Sequence, residues 1–186
     1  MEFLLIVFLT LLNGAFAMSE LALTASRKVR LQNMAESGDK GAQAALALLE
    51  NPTQFLSSVQ VGITSIGMLN GIVGEAAFSQ GLTLWLQAHL GLADQVAEVS
   101  ATAVVVTSIT FITIVFGELV PKRIGQLYPE AVSRWVSRPM TWVAIGAKPF
   151  VQLLSLSTYA MLRLLRINNN DNRSVTEEEI SASLEE

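Results

Sequence analysis

The chain has 186 residues, of which 51% are hydrophobic and 15% charged, and its net charge is −4 at pH 7. A typical soluble domain has about a quarter of its residues charged, so this composition indicates a membrane protein. The chain contains no cysteine and one histidine, which excludes disulfides, thiolate metal sites and cysteine nucleophiles and disfavours zinc sites. Any metal chemistry would therefore use oxygen ligands.

The first apolar segment, residues 2–25, is predicted to be a retained transmembrane helix. Glu2 is an acid at a position where a secretory signal needs basic residues, and the apolar run is longer than that of a signal. Arg27, Lys28 and Arg30 follow the run and flank it as a stop-transfer sequence would.

Two further segments, 53–78 and 99–120, are long and apolar enough to cross a bilayer core of roughly 30 Å. Between the first two spans, residues 28–50 are predicted to form short cytoplasmic helices broken at Gly38. Residues 81–94 contain five leucines and one tryptophan and predict an interfacial helix.

The last apolar stretch, residues 140–165, contains Lys148 and Pro149 and is closed by Arg163 and Arg166. We predict that it forms a belt helix beside the membrane on the cytoplasmic side, with a fourth crossing as the alternative. The predicted fold is therefore an all-α membrane protein with three transmembrane helices, a juxtamembrane belt helix and short interfacial helices.

The basic residues predict the orientation of the chain. All twelve lysines and arginines lie in 27–40 and 122–173, and none lies in 41–121. The positive-inside rule then places the N-terminus outside and the C-terminus in the cytoplasm. We expect a multi-pass protein of the cell inner (plasma) membrane.

Polar and small residues recur at helical spacing along the first two spans. They are Thr10, Asn13, Ala17, Glu20 and Thr24 in the first span and Gln60, Thr64, Gly67, Gly71 and Gly74 in the second. Such a stripe is typical of a cation pathway, because polar groups within a membrane are costly. The alternative interpretation is close helix packing through small residues.

The third span ends in Gly117, Glu118 and, after two residues, Pro121. If the helix continued through Pro121, the carbonyl of Gly117 would lose its backbone partner beside a carboxylate. A carboxylate, a carbonyl and an amide oxygen are ligands of a hard cation such as Mg²⁺, and Asn13 could supply the amide. The alternative is an ordinary ion pair between Glu118 and Lys122.

Three motifs together resemble the transmembrane domain of the CNNM/CorC family: NGAFAMSELAL at 13–23, QVGIT at 60–64 and GELVPKR at 117–123. The resemblance implies a homodimer that transports Mg²⁺, in some members as efflux coupled to Na⁺. It also implies a Mg²⁺ site of first-span hydroxyls, a second-span asparagine and the pair Gly117 and Glu118.

The chain departs from that ligand set. Asn13 and Ala17 occupy the hydroxyl positions and Gly67 the asparagine position, although Thr64 or Asn70 could compensate. One branch of the family with similar motifs is associated with polyamine export. The candidate metal ligands are Asn13, Gly117 and Glu118, with a helix break at Pro121, and the candidate pathway residues are Ser19, Glu20, Gln60, Thr64 and Gly67.

The domain organisation predicted from the sequence is a transmembrane domain at 1–167, a polar linker at 168–173 and the start of a helix at 174–186. The motif VTEEEI at 175–180 resembles the helix that leads into the family's cytoplasmic pair of CBS domains. We expect such a domain to follow Glu186. The predicted partners are the lipid bilayer, a second copy of the chain and this CBS-type domain, without nucleic acid.

Three functions remain open from the sequence. The first is efflux of Mg²⁺ or another divalent cation, coupled to Na⁺; the second is export of putrescine or cadaverine; the third is a membrane anchor for a cytoplasmic nucleotide-sensing module. An enzyme is not expected, because no nucleophile adjoins a base and no phosphate loop or working pair of carboxylates is visible.

Overall fold

The computed structural model describes residues 1–165, so the predicted linker at 168–173 and the predicted helix at 174–186 lie outside the described residues. The described part forms seven α-helices and one π-helical turn. In chain order they are α1 (Glu2–Ala25), α2 (Lys28–Glu36), α3 (Lys40–Glu50), α4 (Pro52–Leu90), α5 (Asp94–Ile114), the π turn (Val115–Leu119), α6 (Val120–Leu127) and α7 (Pro129–Leu164).

Within residues 1–165, three stretches of helix are long and apolar enough to cross a membrane: α1, α4, and α5 continued through the π turn and α6 to Leu127. Large apolar side chains such as Phe3, Phe8 and Phe111 are 65%, 59% and 68% exposed. Lipid rather than water is the solvent in which such a surface is stable. The prediction of three membrane-spanning helices is confirmed.

The separate interfacial helix predicted at 81–94 is wrong, because α4 continues without interruption to Leu90. Gly81 lies inside the helix with open space around it, and the helix ends only at Gly91, whose φ is 61°. A helix of 39 residues is about 58 Å long at 1.5 Å per residue, so α4 exceeds the thickness of the hydrocarbon core.

The two short helices predicted between the first two spans are confirmed, and so is the break at Gly38, whose φ is 90°. Asp39 caps α3 by accepting hydrogen bonds from the N–H groups of Gly41 and Ala42 at 2.8 and 3.1 Å. Asn51 caps α4 in the same way, with Pro52 as its first residue. These caps fix both ends of α3. Together α2 and α3 form the link between α1 and α4, residues 28–50, called here the α2–α3 connection.

Helix α1 packs against both α4 and α6, and glycines allow the close approach. A Cβ atom at Gly125 would lie 2.6 Å from the Met18 carbonyl oxygen, and one at Gly14 would lie 3.0 Å from the Pro121 ring. On the other side of α4, a Cβ atom at Gly74 would lie 2.7 Å from Ile109. The small-residue packing considered as the alternative therefore applies at Gly74, whereas Gly67 and Gly71 have open space around them.

A buried polar link joins all three membrane-spanning segments. The side-chain amide of Asn70 in α4 donates hydrogen bonds to the hydroxyls of Thr10 in α1 and Thr113 in α5, at 2.9 and 3.0 Å. Asn70 is completely buried. Because unpaired polar groups are costly in an apolar interior, this link favours one arrangement of the three helices.

Contacts divide the described part of the chain into two compact units, one of residues 1–148 and one that begins at Pro149. In the first unit, α7 packs its beginning on the α2–α3 connection. Ser133 and Ser137 are fully buried there, and the hydroxyls of Ser26 and Ser133 are 2.8 Å apart. Pro149 begins the second unit, whose described part is the remainder of α7 to Leu164 and the following Leu165.

We expect Gly125→Ala to destabilise the protein by about 1–3 kcal/mol, because the added methyl group overpacks against the backbone of α1. The midpoint of thermal unfolding in detergent would measure the loss. Gly81→Ala is the matched control: it adds the same methyl group in open space within a helix and should be neutral or slightly stabilising. Equal effects of both changes would contradict the close packing of α1 on α6.

We expect Asn70→Ala to lower the free energy of unfolding by about 1–3 kcal/mol, since the hydroxyls of Thr10 and Thr113 lose their donor inside the helix bundle. Asn33→Ala, at an exposed position of α2, should change the free energy little. The same unfolding measurement compares both variants. A loss no larger for Asn70→Ala than for Asn33→Ala would refute the polar link.

Candidate functional site

The site is built around the π turn that follows α5. Pro121 has no N–H, so it cannot bond the carbonyl of Gly117, four residues earlier. The helix does not end there. It widens over Val115–Leu119, where the N–H of Val120 bonds the carbonyl of Val115, and continues as α6. The helix break predicted at Pro121 is therefore a widened turn inside a continuous helix, a feature often found at functional sites.

The carbonyl of Gly117 finds a partner on another helix. The Asn13 side-chain amide of α1 donates a hydrogen bond to it at 2.8 Å, and both groups are buried. The sequence predicted that Asn13 would offer its oxygen and Gly117 its carbonyl to a cation. In the structure the amide nitrogen of Asn13 is already hydrogen-bonded to the Gly117 carbonyl. The Asn13 Oδ1 atom is buried without a hydrogen-bond partner among the described residues.

The absence of a side chain at Gly117 makes this contact fit. A Cβ atom there would lie 3.2 Å from Asn13 Nδ2 and 3.2 Å from the Thr10 carbonyl oxygen. Both distances are shorter than an ordinary van der Waals contact. Glycine therefore lets α1 approach the π turn closely enough for the amide to reach the carbonyl.

A lysine lies between two carboxylates next to the π turn. Lys122 Nζ is 3.5 Å from Glu118 Oε1 and 3.6 Å from Glu20 Oε2. The three side chains are 26–33% exposed, and Glu20 Oε2 is buried with no hydrogen-bond partner among the described residues. The cluster joins α1 to the end of the third span and carries one net negative charge.

A cleft of about 200 Å³ lies between α1, α4 and α5 beside this cluster. Its polar lining residues are Asn13, Thr64, Thr110, Thr113 and Glu118. Its apolar wall consists of Ile63, Met68, Ile109 and Ile114. The cleft therefore offers oxygen atoms and one carboxylate in a largely apolar surrounding.

The structure brings some of the predicted site residues to this cleft and not others. Asn13, Thr64, Gly67 and Glu118 line it, and Glu20 adjoins through Lys122. Ser19 is fully buried and its hydroxyl donates to the carbonyl of Ala15 within α1. Gln60 lies on the exposed surface of α4, where its amide donates to Thr64 at 3.4 Å.

Three polar residues meet at the core of this region: Thr10, Asn70 and Thr113. The sequence predicts Thr10 only as part of a polar stripe and Asn70 only as a substitute ligand, gives Thr113 no role, and does not predict that the three side chains meet. The signal was present in the sequence pattern, because an asparagine in an apolar span requires a hydrogen-bond partner.

In residues 1–165, no three His, Cys, Asp or Glu side chains converge as a metal cluster.

Comparison with known proteins identifies the family of this chain. The family described as "Cyclin M transmembrane N-terminal domain", or CNNM, matches residues 4–186. The UPF0053 protein sll0260 of Synechocystis is 41% identical over 186 residues, which is all of this chain and 41% of that protein.

Two relatives with a functional name are the polyamine export proteins of Salmonella typhimurium and Escherichia coli K12. Each is 32% identical, over 93% and 98% of this chain and 38% and 40% of the relative. The chain thus spans about two fifths of the length of these curated relatives. With a family match over nearly its whole length, the chain belongs to the CNNM family of transmembrane domains.

Proposed function

We propose that this chain is the membrane domain of a cation exporter whose cargo is an organic diamine of the putrescine and cadaverine class. The observation that carries the proposal is the position of Lys122, whose ammonium lies between the carboxylates of Glu20 and Glu118 at 3.6 and 3.5 Å. The pair of acids thus accommodates a primary ammonium on a flexible alkyl chain. A diamine presents the same group.

The cleft suits the rest of such a molecule. A diamine has two charged ends separated by methylene groups. Glu118 could bind one ammonium, while Ile63, Ile109 and Met68 would contact the methylenes and the oxygens of Asn13 and Thr64 would accept hydrogen bonds. The relatives named polyamine export proteins in Salmonella typhimurium and Escherichia coli support this choice of cargo.

Mg²⁺ is the second candidate cargo, with Na⁺ as the coupling ion. It is favoured by the Oδ1 atom of Asn13, which is buried without a hydrogen-bond partner among the described residues, since Asn13 and Glu118 line the same cleft. Both are oxygen ligands of the kind Mg²⁺ prefers. We rank it second because the Gly117 carbonyl is already bonded to Asn13, which leaves fewer ligands for an ion that loses its waters reluctantly.

The proposal includes an assembly and an orientation. Three spanning helices from one chain do not enclose a path, so we infer a homodimer with α7 as its belt helix. The distribution of basic residues supports a cytoplasmic position for the α2–α3 connection and for the Lys122 cluster in the inner (plasma) membrane. A cytoplasmic CBS-type domain would complete the protein. A chain that stays monomeric in lipid and binds no cation would instead favour the anchor hypothesis.

We expect Glu118→Gln to weaken putrescine binding by about tenfold or more, because a hydrogen bond to a charged group contributes about 1.5–3 kcal/mol. Calorimetry on the protein in nanodiscs would measure the affinity, and flux into proteoliposomes should fall with it. Glu36→Gln, at an exposed site of α2, is the control and should bind normally. Unchanged binding and flux in Glu118→Gln would sink the proposed site.

The same titration separates the two cargoes. If Mg²⁺ binds saturably, Glu118→Gln abolishes that binding and putrescine gives no heat, then the cargo is Mg²⁺ and not a diamine. Binding of putrescine that Mg²⁺ does not displace would support the diamine.

We expect Lys122→Gln to tighten putrescine binding by about fivefold, because the internal ammonium no longer competes for Glu20 and Glu118. The two partly exposed ion pairs together contribute roughly 1 kcal/mol. Arg123→Gln removes a neighbouring exposed charge and serves as the control for a general change in charge. Weaker binding in Lys122→Gln alone would mean that the lysine supports the site rather than competing with the cargo.

A further inference from the structure

A second cavity lies apart from the cleft, between the α2–α3 connection and the beginning of α7. It is a wide groove of about 1120 Å³. The α2–α3 connection contributes Gly38, Asp39 and Lys40, and α7 contributes Arg134, Trp135, Arg138 and Trp142. We propose that this groove binds the phosphate headgroup of an anionic phospholipid.

The walls of the groove are held together firmly. A Cβ atom at Gly41 would overlap the backbone of Arg134, so α3 and α7 touch through their main chains. Arg134 Nη2 lies 2.6 Å from Asp39 Oδ2. Ser133 and Ser137 of α7 are fully buried, and the Ser133 hydroxyl lies 2.8 Å from that of Ser26, just before α2. The groove is thus a preformed feature of the fold.

The free charge of the groove is positive. Asp39 is the acid among the lining residues, and both of its oxygens are engaged: Oδ2 with Arg134, and Oδ1 with the N–H groups at the start of α3. Lys40 and Arg138 are exposed and pair with no carboxylate among residues 1–165. Two cations therefore remain available for an anion.

Tryptophan distinguishes a lipid from a soluble anion. Trp135 and Trp142, seven residues apart, lie on one face of α7 and are 80% and 78% exposed. A soluble phosphate would use the two cations and leave both indoles in water. A phospholipid uses both features, because tryptophan prefers the boundary between headgroups and acyl chains and basic residues attract anionic headgroups.

The place of the groove in the fold agrees with this occupant. Helices α2 and α3 connect the end of one spanning helix, α1, to the start of the next, α4. The groove therefore lies at the border where the membrane-spanning segments leave the bilayer. Headgroups are the anions present at that depth.

Quenching of tryptophan fluorescence by brominated lipid tests the proposal. A Trp85→Phe background leaves Trp135 and Trp142 as reporters, since the chain has three tryptophans. In mixed micelles, brominated phosphatidylglycerol should quench them at a lower mole fraction than brominated phosphatidylcholine. The double change Lys40→Gln and Arg138→Gln should reduce this preference by at least about tenfold, because each basic residue near an anionic surface contributes about 1 kcal/mol.

The matched control is Lys28→Gln with Arg123→Gln, which removes the same charge from two exposed positions outside the groove and should retain the preference. Equal quenching by the two lipids, or equal loss in both double variants, would overturn the proposal. Glycerophosphoglycerol, the soluble headgroup of phosphatidylglycerol, can be added at the same concentration as the lipid. If it abolishes the preference for the anionic lipid, the groove binds a soluble anion instead. None of these results depends on what the cleft transports.

Discussion

The hydrogen bond from Asn13 to the Gly117 carbonyl is the contact on which the arrangement of the site depends. Pro121 deprives that carbonyl of its backbone donor, and an unpaired carbonyl inside a bilayer is costly. The side-chain amide of Asn13 supplies a hydrogen-bond donor at 2.8 Å. This bond connects α1 to the carbonyl of the third span that Pro121 leaves without a backbone donor.

Other features of the region follow from this tie. Because α1 must come close to the π turn, the contact positions at Gly14, Gly117 and Gly125 have little room for a side chain. The same approach brings Glu20 of α1 to Lys122, and Lys122 in turn contacts Glu118. The Asn70 link then holds α4 against both helices, so that one side of the joined helices remains open as the cleft.

The sequence predicted the spanning helices and the break at Gly38 because hydrophobic length and glycine punctuation are local signals. It also placed Glu118, Asn13 and Thr64 in one region. The sequence could not predict whether the Asn13 amide donates or accepts a hydrogen bond, since an amide can do both and its role depends on the partner. The extent of α4 was missed because its last turns, with four leucines and one tryptophan in residues 81–90, have the composition of an interfacial helix.

The meeting of Asn70 with Thr10 and Thr113 depends on the rotation of three helices about their axes, which spacing within each helix does not determine. The ion pair between Lys122 and Glu118 could be predicted, because the two residues are one turn apart. The second ion pair, between Lys122 and Glu20, could not be predicted. These two residues are 102 positions apart in the chain and meet only through tertiary packing.

The π turn also sets the angular register of everything after it. A π turn is equivalent to one residue inserted into an α-helix, and one residue corresponds to about 100° of rotation at 3.6 residues per turn. If the same five residues of Val115–Leu119 formed an ordinary α-helical turn, the composition and hydrophobicity of the span would be unchanged. Lys122 and Gly125 would nevertheless swing about a quarter of a turn away from α1, because the π turn absorbs one residue without the rotation that this residue would add in an α-helix. The phase of this helix therefore carries information that its composition does not.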